Sequence, residues 1–326
     1  VTRPEPTVRH LAQQRRLRHL ELTITRRLDG LLHGNHLGLL PGPGSEPAGS
    51  REYRPGEDEV RRMDWSVTAR TTVPHVRTVD ADRELTTWTL VDATPSMDFG
   101  TAELEKRELA VAAVAAVGFL TAGVGNRLGA HLLTHEGLRR FPPRTGRTHL
   151  FGLLRTLLDV PRGLPASDPV PLAHGLDGLR RGAGRRGLVV VVSDFLDGLP
   201  DAGVAGAAGP PPEWERPLRR LAARHQVLAV QVVDPREREL PDVGLVTLVD
   251  PESGRRREVS TASRRLRERY AAAAAAQREA VTRAIRRSGA AHLTLSTDRD
   301  WTADIARHVF TQRRLAGAAR PTGGAA

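Results

Sequence analysis

Two short stretches carry oxygen donors at spacings that suit chemistry. Asp92-Ala93-Thr94-Pro95-Ser96 places an acid and two hydroxyls at alternate positions, so one tight turn can present three oxygens to one point. Ser193-Asp194-Phe195 brings a second acid next to another hydroxyl. Carboxylate plus hydroxyl is a hard donor set, suited to Mg2+ or Mn2+ and not to a soft metal. A lone acid behind a strand more often caps the next turn. Two acids with hydroxyls at this spacing favour a binding site, in which Asp92 and Asp194 supply charge and Thr94 and Ser96 ligate as neutral oxygens. Asp98 stands close enough in sequence to orient water around such an ion.

Both stretches end apolar runs. Leu85–Asp92 (LTTWTLVD) predicts a buried strand finishing on an acid, and Gly187–Ser193 (GLVVVVS) is the strongest strand signal in the chain. A near-continuous β-branched run implies burial on both faces, as in a parallel sheet. Further strands are expected at Arg127–Leu133, Leu138–Phe141, Gln226–Val233 and Ala291–Leu295. Helical spacing marks Glu103–Thr121, Thr148–Leu158, Leu172–Arg181, Glu213–Arg224, Ala262–Arg287 and Trp301–Leu315. Val243–Val249 and Arg257–Val259 read as a hairpin. The alternation predicts an α/β fold with a doubly wound, mostly parallel, Rossmann-like sheet. Sites in such sheets lie beyond the carboxyl ends of the strands, where Asp92 and Asp194 fall.

Upstream, Thr7–Leu32 has helical apolar spacing, and the glycines and prolines of 34–49 read as a joint. The expected organisation is an N-terminal helix in 1–40, a helical and extended module in 41–84, the α/β domain in 85–315 and a small, polar, disordered tail in 316–326. Gly198–Pro212 reads as a low-complexity mobile loop. In the module, Tyr53-Arg54-Pro55-Gly56 is a turn signal. Its arginines and acids are expected to neutralise each other, with Tyr53 and Trp65 packed on the sheet and Arg70 paired near Asp64.

The 326 residues contain no cysteine, which excludes a disulfide scaffold and a thiolate zinc site. Lys+Arg number 49 against 38 Asp+Glu, a net charge of +11, and Lys106 is the only lysine. Heavy use of Arg, Ala, Gly and Pro follows from a GC-rich genome, so this basicity argues poorly for nucleic acid. The clusters Arg180-Arg181, Arg185-Arg186, Arg255-Arg256-Arg257 and Arg264 to Arg269 lack interleaved aromatics and read first as solvated faces. An acidic protein partner or an anionic surface comes next. No apolar run approaches the ~20 residues that span a bilayer, which predicts a soluble cytoplasmic protein.

Asp92–Ser96 resembles the D-x-[ST]-x-S element of von Willebrand factor type A domains, where it forms the metal-ion-dependent adhesion site. Farther upstream, Arg51-Glu52-Tyr53-Arg54-Pro55-Gly56-Glu57-Asp58, Arg61-Arg62-Met63-Asp64-Trp65, Thr68-Ala69-Arg70 and Val76-Arg77 resemble the signature of the bacterial family called domain of unknown function 58. Leu90–Met97 and Val191–Phe195 continue that resemblance. It spans about residues 45 to 235 and implies a von Willebrand factor A-like domain. The implied function is non-enzymatic protein interaction beside a MoxR-type AAA+ ATPase, in a chaperone or assembly role. The implied site holds Mg2+ or Mn2+ on Asp92, Thr94, Ser96 and Asp194, and a partner's acid completes the shell. In the family a further Thr contributes from a loop that here reads Ser167-Asp168-Pro169. Ser167 and Asp168 are the candidates to replace it.

Enzyme signatures are not met. Lys106 lies outside any P-loop, and no G-x-G-x-x-G follows the first strand. Asp98-Phe99-Gly100 copies a kinase tripeptide without the H-R-D loop or a strand lysine. Aspartyl-phosphate chemistry wants an acid where Thr94 stands. His131 and His135 are four apart on an expected strand, so a core or surface role suits them better than zinc. Nucleic-acid binding is the first alternative and a metal-dependent hydrolase the second.

Overall fold

The computed structural model describes residues 17–28, 48–54, 60, 63–78, 85–102, 104–121, 125–162, 170–199, 210–251 and 254–318. The expectations for Ser167 and Asp168, for the turn at 55–59, for most of the joint at 34–49 and the loop at 198–212, and for 319–326 lie outside the described residues.

The centre is a six-stranded sheet. Its strands are β3 (Thr86–Asp92), β4 (Arg127–Thr134), β5 (Gly137–Arg144), β6 (Leu188–Ser193), β7 (Gln226–Val233) and β10 (Ala291–Ser296). Their spatial order is β10-β7-β6-β3-β4-β5, and only β5 runs antiparallel to its neighbour. The chain turns one way from β3 to β4 and the other way to β6. The topological switch point therefore lies between β3 and β6. Every residue of β6 is buried, as its β-branched run requires for a strand covered on both faces.

Alternation along the strands separates two cores. Val190 and Val192 face one apolar layer with Leu109, Val114, Leu153 and Ile305. Val189 and Val191 face the other with Leu176, Leu218 and Ile285. The first layer is built from α3 (Lys106–Leu120), α4 (Arg147–Asp159) and α8 (Trp301–Ala318), and the second from α5 (Leu172–Gly182), α6 (Glu215–Ala222) and α7 (Arg264–Ser288). Ser263 caps α7 by accepting the Leu266 N–H at 3.3 Å, and Gly289 closes it at φ 80°, the left-handed conformation glycine adopts without strain.

The helix at 17–28, here α1, belongs to the first layer. Its Leu17, Ile24 and Leu28 join that core. Arg27 bonds Asp300 at 2.6 Å at the start of α8, and Glu21 pairs with Arg147 of α4. α8 itself continues to Ala318, beyond the expected end of the helix. The edge strand β5 is twice as long as its expected core, running through Pro142 and Pro143. Proline is tolerated there because an edge strand leaves N–H positions without a ladder partner.

Outside this domain, β1 (Ala48–Glu52) and β2 (His75–Thr78) form an antiparallel pair with α2 (Trp65–Thr71) between them in sequence. A second pair, β8 (Leu245–Val249) and β9 (Arg256–Ser260), forms the expected hairpin. No helix among the described residues is long and apolar enough to cross a membrane.

Candidate functional site

β3 and β6 are adjacent and parallel, so Asp92 and Ser193 finish side by side at the carboxyl edge. Asp92 is buried. Its Oδ1 accepts the Thr94 N–H at 3.0 Å and the Thr94 hydroxyl at 2.6 Å. Its Oδ2 accepts the Ser193 hydroxyl at 2.6 Å, across the strand pair. Thr94 Oγ1 and Ser96 Oγ stand 3.2 Å apart. The four expected residues Asp92, Thr94, Ser96 and Asp194 thus do converge on one edge, with Ser96 also hydrogen-bonded to Asp194.

The turn that aims Asp194 is unusual. Phe195 follows at φ 60°, one of two non-glycine residues in the left-handed region among the described residues. Such a conformation persists where surroundings over-determine it. Ser193 Oγ accepts the Phe195 N–H at 3.0 Å, and the buried Phe195 ring meets Trp214 edge-on at 5.2 Å.

Four charged residues not assigned to the site from sequence shape it. Lys106, the first residue of α3, is only 1% exposed. Its Nζ donates to Asp194 Oδ2 at 2.9 Å and to Glu237 Oε1 at 2.5 Å. Glu237 also accepts the Asp234 N–H at 3.0 Å through Oε2. Asp234, at the end of β7, is wholly buried and accepts from Thr101 N at 2.9 Å, Thr101 Oγ1 at 2.6 Å, Arg236 N at 2.9 Å and Thr297 Oγ1 at 2.7 Å. Arg107, also buried, donates to the carbonyls of Ala93 and Val160, each at 2.9 Å, and pairs with Asp98 at 2.7 Å. Asp98, expected to orient water, is engaged by that guanidinium. The one sequence signal for Lys106 was its type: a single lysine in a chain that otherwise uses arginine.

Burial sets the titration of these groups. It pushes Asp92 up to about 6, helped by the nearby Asp194 charge and opposed by the Ser193 and Thr94 hydrogen bonds. Burial also disfavours charged Asp194, but the Lys106 ammonium overrides it and holds that carboxyl below its ordinary range. Burial pulls Lys106 down, and Asp194 and Glu237 more than offset it, so its pKa ends above that of an ordinary lysine. His131 is pushed down to about 4 by burial, with its ring edge-on to Trp88 at 5.7 Å, so it is a neutral core residue.

The 3.2 Å spacing of Thr94 and Ser96 oxygens suits neighbouring vertices of a shell with ligands at ~2.1 Å. The acids do not fit a divalent ion as they stand. Asp92 keeps a further lone pair on each oxygen beside the hydroxyl protons it accepts, so the obstacle lies at Asp194, whose Oδ1 accepts the Leu196 N–H at 3.1 Å. Asp194 Oδ2 holds an ammonium, which would repel an ion placed beside it. Among the described residues, no three His, Asp or Glu side chains gather as a metal-binding group.

The upstream module corrects one expectation. Trp65 does not pack on a sheet; it opens α2 with 66% of its surface exposed, while Tyr53 is half-buried. No residue of α2 is fully buried; Val67 and Thr68 are half-buried and Trp65 stands in solvent. Asp64 caps the helix, accepting from Ser66 N and Val67 N, each at 3.2 Å, and Arg70 Nε reaches the Ser66 carbonyl at 3.1 Å.

Comparison with known proteins places these features in a lineage. Residues 49–280 match the family model described as protein of unknown function DUF58. An uncharacterized protein of Mycobacterium tuberculosis is 56% identical over 303 residues, covering 92% of this chain and 90% of that protein. One of Mycobacterium avium is 48% identical over 183 residues, covering 56% of this chain and 99% of that protein. Among solved structures, the chain is similar to the conserved hypothetical protein BatB from Bacteroides thetaiotaomicron, with a TM-score of 0.42, 12% identity and coverage of 72% of this chain and 100% of that one. It is also similar to the SpRpn10 VWA domain, with a TM-score of 0.39, 11% identity and coverage of 68% and 94%.

Proposed function

The chain belongs to the DUF58 family, and from that premise we propose that it is a non-enzymatic protein-interaction module that works with a MoxR-type AAA+ ATPase in a chaperone or assembly role. The observation that carries an interaction role is the exposed Trp65. Val60 and Val73 of the same module are exposed as well. Tryptophan is among the side chains most enriched at binding anchors.

The presentation is braced from beneath. The Asp64 N–H donates to the His75 carbonyl at 2.7 Å, the His75 N–H donates to Thr68 Oγ1 at 2.9 Å, and Met63 bridges Val76 of β2. A short helix held this way loses little freedom when a partner covers it, which favours affinity. The ATPase as partner rests on the family resemblance carried by the module's motifs. A metal-bridged contact with a partner's acid is left out of this reading on one observation, the Lys106 ammonium held by Asp194.

The test is titration of a purified MoxR-type ATPase from the same organism with this chain in the presence of ATP, beside Trp65→Ser. Saturable binding is expected, weakened at least tenfold by the substitution, about 1.4 kcal/mol or more. The melting temperature should stay nearly unchanged, since an exposed substitution moves stability by only about 0.5 kcal/mol. Equal binding by both proteins would remove Trp65 from the interface. Absence of ATPase binding together with salt-steep retention on DNA would turn the reading toward the exposed arginines of β9.

A further inference from the structure

We propose that the Lys106 ammonium is the resident cation of the strand-end site, standing where a divalent ion's charge would otherwise be needed, so that the site works without metal. The inference concerns the site alone and holds whether or not the ATPase is the partner.

Position is the first argument. Lys106 opens α3, where the helix dipole disfavours positive charge, and it is 1% exposed. A buried ammonium at that end is tolerable only with close counter-charge. Asp194 at 2.9 Å and Glu237 at 2.5 Å supply it. Residue type is the second. The chain uses arginine at all its other basic positions. An ammonium is a compact charge with three rotatable donors, whereas a guanidinium is a wide planar fork. The compact group lets one nitrogen sit within hydrogen-bond distance of both carboxylates, Asp194 and Glu237.

Glu237 is the third argument. It lies outside the D-x-T-x-S and S-D stretches, yet it completes the environment of Lys106 and is itself fixed through the Asp234 N–H. The carboxylates are thus arranged around the nitrogen, and Thr94 and Ser96 remain bound to the acids as hydrogen-bonding partners. The ammonium ties α3 to the ends of β6 and β7, a bracing role that a bound ion would otherwise fill.

Mn2+ titration of the full chain, read by loss of the free-ion electron paramagnetic resonance signal, tests this directly. Melting curves in chelator and in millimolar Mn2+ accompany it. The native protein should show no saturable binding and the same melting temperature in both media. Lys106→Met keeps the apolar stem and removes the charge. It should melt several degrees lower in chelator, recover in Mn2+, and bind the ion saturably, with that binding lost again when Asp194→Asn is added. Saturable, stoichiometric Mn2+ binding by the native protein, abolished by Asp194→Asn, would overturn the proposal. So would a folded Lys106→Met that neither binds Mn2+ nor gains stability from it. If Lys106→Met fails to fold in either medium, the native titration decides alone.

Discussion

Asp234→Ala is expected to destabilise the protein by about 3 to 5 kcal/mol, because it deletes the charged acceptor of four hydrogen bonds at once. Thr101 N, Thr101 Oγ1, Arg236 N and Thr297 Oγ1 all donate to this carboxylate. Thr297 Oγ1 would lose its acceptor where it is buried, and the other three donors where they are part-buried. For a chain of this size the loss corresponds to a fall in melting temperature of roughly 4 to 7 °C. Asp234→Asn should lose less, since it keeps one acceptor oxygen. Loosening should start in the segment that Thr101 anchors, ahead of α3. Hydrogen exchange at the Lys106 amide, which bonds the Phe99 carbonyl at 2.9 Å, reads it. A melting temperature within a degree or so of native would show that Asp234 is not a fastener. Its carboxyl is held low by these hydrogen bonds, burial notwithstanding. Its contribution is therefore present above the ordinary aspartate range and is lost as pH falls through its folded value.

Asp92 has the opposite sign. Its folded pKa is raised from 3.8 to about 6, so the native state holds this proton more tightly than the unfolded chain does. The stability Asp92 contributes is greatest below the unfolded value and falls as pH rises through the folded one. A shift of about two units is worth about 3 kcal/mol. Asp92→Asn is neutral throughout. It still offers one oxygen to Thr94, while its amide faces Ser193 and forces that hydroxyl to donate elsewhere, a loss of about 1 kcal/mol. Urea melts of native and variant across about pH 4 to 7 should therefore diverge. The variant should be the weaker near pH 4 and the stronger by about 2 kcal/mol near neutrality. Parallel curves would mean that Asp92 ionises freely in the folded protein.

The strands that carry the site were legible because buried parallel strands announce themselves. Gly187–Ser193 offers little but valine, and the acid at each strand end follows directly. Convergence of Asp92, Thr94, Ser96 and Asp194 needed only that β3 and β6 be neighbours. The role of Lys106 was not legible. Its partners lie 88 and 131 residues away, and their meeting depends on how α3 docks against two strand ends. Asp234 was hidden for the same reason, since a strand-end acid looks alike whether it faces water or caps a buried turn. Trp65 differs from the expectation because an indole is ordinarily covered, while α2 is a seven-residue helix that buries no residue fully. The two prolines of β5 shortened its expected extent because proline weighs against strand unless the strand is known to be an edge.

The packing of α1 against α8 bears on the order in which the chain can be made. Ile24 and Leu28 share their core with Ile305 and Val309, and Arg27 meets Asp300 across 273 residues of sequence. During synthesis α1 emerges long before the surface that covers it, and β7 must likewise wait for β10 to pair with it. Until α8 is made, α1 has only its α3 and α4 neighbours in that layer, and the face that meets α8 stays uncovered. That layer closes only once α8 has been made and docked, so its completion depends on contacts of long sequence separation.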